Sequence, residues 1–305
     1  MPYLSLKVLW IFGVGVGVLG ADFVAQTRGD NIVTAILDLC AAGLAVLFVH
    51  PAGRRVPAWL IAGPVWAATG LLAPLVGGVI LGFPTQILLG ARSPGTDDGG
   101  LDSWVFAVVY SGFILQAAVL LPGFVLYAAD RWPAVFDAAR GRGERRTPTT
   151  SEQLLAGAFV VGALAFAMLT GYGAIAGGGL YPHPTLSQRI SQLVFAALAI
   201  AGMSAVWRLR DGRRPTRRLL IAGWVGSGVV FTESLVLTTG LLLARDSYDR
   251  TYGPGGSLLC LFCLLAALAG AAFGMLRLEQ FSRTARASAD PLRQGSGPTP
   301  AGEEW

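Results

Sequence analysis

Long apolar runs recur along the whole chain, broken only by short stretches of charge, proline and glycine. A helix needs about 20 apolar residues to cross a hydrocarbon core of roughly 30 Å, and these runs have that length. They predict spans near 5–25, 31–49, 56–81, 104–127, 153–172, 188–207, 219–243 and 257–276. The predicted fold class is therefore all-α: a polytopic membrane bundle of eight transmembrane helices forming one domain over residues 1–284. Residues 285–305, rich in Ser, Pro and Gly, are expected to form a disordered cytoplasmic tail.

Charge turns the spans into a topology. Arg54 and Arg55, the group from Arg131 to Arg146, and the group from Arg208 to Arg218 fall in alternate connections. With Lys7 and the tail arginines, one side collects 18 of the 23 basic residues, which predicts that side to be cytoplasmic and both termini to lie there. Trp59, Tyr127, Trp132 and Trp207 on that side, and Trp104, Tyr172, Tyr181 and Tyr248 on the other, fit interfacial belts. The first run follows the short segment Met1–Lys7 but has no small-residue cleavage site, so it reads as a retained span.

Composition agrees with this picture. The chain is 53% hydrophobic and 13% charged, against about a quarter charged in soluble domains, and its mean hydropathy is +0.58. No room is left for a separate soluble domain. The net charge of +5 sits in clusters between apolar runs, with no basic face interleaved with aromatics, so the expected partner is the lipid bilayer and not nucleic acid.

Two stretches resemble each other. Arg54-Arg55 followed by Leu60-Ile61-Ala62-Gly63 and Trp66 matches Arg213-Arg214 followed by Leu220-Ile221-Ala222-Gly223 and Trp224. Both open a span leaving a basic loop, which pairs span 3 with span 7 and suggests two four-helix repeats in parallel orientation. Low-complexity apolar sequence also generates such matches by chance.

Chemistry is sparse. A carboxylate inside a span costs about 2.5 kcal/mol or more, which makes intramembrane acids the first functional candidates. Asp38 in span 2 and Glu233 in span 7 qualify, both expected in the outer half of the bilayer, and Asp22 near the end of span 1 is a possible third. They suit a polar, outward-side cavity binding a small solute, an ion or a proton. They equally suit protonated acids bonded to Thr34, Thr232 or Thr238 that only fix helix packing.

Cys260 and Cys263 form a CxxC, placed as the pair in membrane disulfide oxidoreductases is, but only Cys40 remains to relay electrons. Gly15 to Gly20 matches a dinucleotide fingerprint by letter but lies in an apolar run without a preceding strand. Gly13 with Gly17, and Gly78 with Gly82, read better as close helix–helix contacts. The two histidines, His50 and His183, have no metal-ligand spacing, so no metal or cofactor is expected. Pro64, Pro74 and Pro122 are expected to kink spans 3 and 4, and Phe83–Leu89 to lie in the interface or dip back into the membrane.

These features favour a permease-like solute carrier, coupled to ions or protons, in a bacterial inner membrane. The alternatives are a membrane enzyme that protonates a lipophilic, isoprenoid-like substrate and a non-catalytic scaffold.

Overall fold

The computed structural model describes residues 2–19, 24, 27–89, 101–133, 136, 148–177, 184–211, 216–243 and 256–289. Among them are eight α-helices and no strand: α1 (Pro2–Ile11), α2 (Arg28–Val49), α3 (Ala58–Leu88), α4 (Ser103–Arg131), α5 (Thr150–Ala176), α6 (Leu186–Arg210), α7 (Arg217–Leu243) and α8 (Gly256–Ala289). Seven of them, α2 to α8, are long and apolar enough to cross a membrane. The protein is a multi-pass helical membrane bundle. Large apolar side chains such as Val33, Ile36, Leu39, Leu126, Met168 and Leu258 are exposed on its flanks, where lipid would otherwise have to meet polar groups.

The first predicted span is where the structure departs from expectation. α1 ends at Ile11, and residues 12–19 run on as turns. Gly13 and Gly17 have φ of 86° and 70°, the left-handed region that glycine enters without steric penalty. They therefore break the helix and make no GxxxG contact. The segment is held to the start of α4: Asp102 N donates to Gly17 O at 2.9 Å, Trp10 Nε1 donates to Val16 O at 2.9 Å, and Val18 bridges Leu101. A Cβ on Gly17 would lie 2.4 Å from Val105, so only glycine fits.

The other expected glycine pair does make a close helix contact. Cβ atoms added to Gly78 and Gly82 of α3 would lie 2.3 Å from Ser191 Oγ and 3.0 Å from Ser187 Cβ of α6. α3 is one continuous helix past Pro64, Pro74 and Pro84 to Leu88, so Phe83–Leu88 are helical and extend the third span. α8 likewise continues beyond residue 285 to Ala289. The rest of the predicted tail lies outside the described residues.

Neighbour relations trace two four-helix circuits, the first of them loose, since α3 packs more extensively on the second circuit than on α2 or α4. In the first, α1 packs on α2, α2 on α3, α3 on α4 and α4 back on α1. In the second, α5 packs on α6, α6 on α7, α7 on α8 and α8 back on α5. The cyclic order is the same in both, as a parallel four-helix duplication requires. The rings join where α3 packs on α6 and α7. The first ring also closes across its diagonal, α2 against α4.

The junction carries a second sequence match, two residues out of register with the Leu-Ile-Ala-Gly one. Trp66 is followed by Thr69 and Gly70, and Trp224 by Ser227 and Gly228, with the same spacing. Each tryptophan bonds the other helix's hydroxyl: Trp66 Nε1 donates to Ser227 Oγ at 3.0 Å and Trp224 Nε1 to Thr69 Oγ1 at 3.4 Å. The glycines bring the backbones together, since a Cβ on Gly70 would lie 2.1 Å from Gly228 O. Reciprocal bonds between matching positions are what a local two-fold axis between parallel helices produces.

Candidate functional site

α1 carries the one lysine into the bundle interior. Lys7 is 0% exposed, and its Nζ lies 2.7 Å from Asp38 Oδ2 of α2, itself 4% exposed. Gln116 Nε2 of α4 donates to the other oxygen, Asp38 Oδ1, at 2.8 Å. The ammonium also sits 3.9 Å from the centroid of the Tyr3 ring, and Tyr3 rests edge-on against Phe113 of α4 at 5.3 Å. Three helices of the first ring thus contribute to one charge-neutral station.

The sequence explains its geometry. Asp38 stands about three turns into α2 and Gln116 nearly four turns into α4, two parallel helices, so their side chains meet far from either helix end. Lys7 is one turn after Tyr3 on α1, which places the cation over the ring. Trp10, Leu6, Val24 and Val105 form the apolar cluster above them.

At this depth an isolated charge is expensive, whereas an ion pair with a further hydrogen bond on the carboxylate is satisfied. Thr34 does not take part, because its hydroxyl donates to Asp30 O and Asn31 O. The predicted cytoplasmic role of Lys7 as a topology signal gives way to a buried one.

Glu233 stands in the second ring. No hydrogen bond or ion pair joins it to Asp38, and among the described residues it has neither. Thr232 and Thr238, its expected partners, donate instead to Gly228 O and Ser234 O, back along their own helix. Among the described residues, other polar atoms of this ring are also unpartnered: both amide atoms of Gln192 in α6, which is 0% exposed, and Ser234 Oγ in α7, which is 1% exposed. Asp22, the third predicted acid, lies outside the described residues, as does His183.

Other polar groups hold helix ends. Gln86 Oε1 accepts from Ser187 N at the start of α6, while Thr185 and Gln188 cap that helix reciprocally. Thr149 and Glu152 do the same for α5, and Gln280 of α8 donates to Glu152 Oε1. Arg277 donates to Leu209 O at 2.8 Å, tying α8 to α6. Arg131 bonds the carbonyls of Gly53, Arg54 and Val56, fixing the basic end of the first ring. His50 Nδ1 accepts from Ala52 N and is a turn residue.

Cys260 and Cys263 are buried and free, and Cys263 Sγ donates to Gly162 O at 3.6 Å. Cys40 is exposed on α2, in the other ring. Sequence reasoning did not single out Lys7, Gln116 or Gln192 as site residues. Each was legible only as a polar residue in or beside an apolar run. Comparison with protein-family models, with curated proteins and with solved structures finds no match.

Proposed function

We propose that the protein is a permease-like carrier of the bacterial inner membrane, coupled to protons or cations, whose working group is the Lys7–Asp38–Gln116 station. The observation that carries this reading is the buried ion pair between α2 and a helix too short to span the bilayer. Intramembrane ionisable residues mark ion and proton pathways more often than they serve packing. A pair held by a half-length helix can also open without dismantling a span. In the carrier cycle a proton or a cationic solute would take the place of the Lys7 ammonium on Asp38, and α1 would move with its lysine.

Asp38 and Glu233 stay in the proposal as cation-binding acids, one in each ring, rather than as the walls of one cavity. The test is flux in proteoliposomes under an imposed pH gradient, with amino acids, amines, sugars and lipophilic cations offered in turn. The charge-free variant Lys7→Met/Asp38→Leu replaces both charges together by apolar side chains, leaving neither charge buried alone, so it should fold. The wild type is expected to move at least one solute class in a gradient-dependent way and the variant to move none. Equal flux by both proteins would remove the pair from the mechanism.

A further inference from the structure

The first ring brings its own cation to a carboxylate and an amide, while the second offers a carboxylate and an amide that, among the described residues, no side-chain cation bonds. From this contrast we infer that Gln192 and Glu233 form a binding site for a small ammonium-type cation between α6 and α7.

Position supports the pairing. α6 and α7 run antiparallel and touch at Gly202 and Gly226, where a Cβ on Gly202 would meet Gly226 Cα at 2.7 Å. Counting from that contact towards the far end, Gln192 is ten residues along α6 and Glu233 seven along α7. At about 1.5 Å per residue their Cα atoms differ in depth by about one helical turn.

Phase supports it too. Gln192 lies three, four and seven residues before Phe195, Ala196 and Ala199, which belong to the core of the second ring. Glu233 lies four and three residues after Val229 and Val230 of the same core. Gln192, buried, and Glu233, partly buried, thus fall on the helix stripes that carry this core.

Chemistry sets the ligand. A buried amide with neither end bonded loses the hydrogen bonds it would make in water, a penalty of about 1–3 kcal/mol for each unsatisfied group. A ligand here must donate to the Gln192 oxygen and carry positive charge for Glu233. Ammonium does both and is the size of a water molecule. It is also the group that Lys7 supplies to Asp38 in the first ring. A primary alkylammonium presents the same head.

The experiment is equilibrium binding, which stands or falls separately from transport. The full-length protein in nanodiscs is titrated with ammonium chloride and with radiolabelled methylammonium, against tetramethylammonium, sodium and potassium at matched ionic strength. Thermal unfolding and retained label are the readouts. Saturable stabilisation by ammonium and methylammonium is expected, weakened at least tenfold in Glu233→Gln and in Gln192→Leu and unchanged in Cys40→Ser, exposed on α2.

Where Glu233→Gln does not fold, Glu233→Asp retains the charge but shortens its reach and is expected to bind more weakly than wild type. Equal effects of ammonium and tetramethylammonium, a preference for sodium or potassium, or undiminished binding by Gln192→Leu would each overturn the assignment. So would the absence of any cation dependence, which would leave Gln192 to water alone.

Discussion

Asp38 shows what a charged residue in an apolar run does and does not reveal. Its cost in hydrocarbon made it visible, but its partner was hidden. Lys7 stands near the start of the chain, where a basic residue ordinarily reports topology, and nothing in the sequence marks α1 as a helix that ends at Ile11. Gln116 and Gln192 were harder still, because a neutral amide is tolerated in a span and its burial depends on packing. The pair itself makes a test at this scale. Asp38→Asn leaves the Lys7 ammonium buried without a counter-charge and is expected to destabilise by roughly 3–5 kcal/mol, whereas Lys7→Met/Asp38→Leu should be close to neutral. Reversible unfolding in mixed micelles measures both. A double variant no more stable than Asp38→Asn would show that the pair is not coupled.

Some helices were legible to within a few residues, as for α2, predicted over 31–49 and observed over Arg28–Val49, whereas α3 and α8 run on to Leu88 and Ala289, well past the predicted ends at 81 and 276. The failure at the first span was local to glycine. Gly13 and Gly17 have the spacing of a helix contact, yet they serve as left-handed turn residues pinned to α4. A spacing cannot distinguish these uses, because both need a missing side chain. Gly17→Ala is therefore expected to cost at least about 1–2 kcal/mol from backbone conformation alone, with the clash on Val105 added to it. The junction of the rings gives a sharper contrast. Gly70→Leu should split α3 from α7 and lower the unfolding midpoint strongly, while Gly63→Ala, whose Cβ would meet nothing within 4 Å, should leave it unchanged or slightly raised. Trp66→Phe and Trp224→Phe should each lose about 1 kcal/mol, the worth of one hydrogen bond. Equal midpoints for Gly70→Leu and Gly63→Ala would contradict the close crossing.

The whole molecule reads as two rings of four helices joined at α3 and α7. The Leu-Ile-Ala-Gly match drew attention to α3 and α7, and the Trp, hydroxyl and Gly spacing just beyond it, in a register two residues away, becomes meaningful only where the two helices touch. Among the described residues the rings differ in their polar groups: the first is self-satisfied through Lys7, and the second leaves buried Gln192 and partly buried Glu233 unpartnered. Such a division suits a carrier in which one ring responds to protons and the other receives a cation. The most direct measurement is accumulation: proteoliposomes of wild type and of Lys7→Met/Asp38→Leu are loaded with a transported solute at equal concentration inside and out, and a pH gradient is then imposed. The wild type is expected to concentrate the solute against its own gradient while the folded double variant leaves it at equilibrium. Equal accumulation by both would contradict a coupling role for the buried pair.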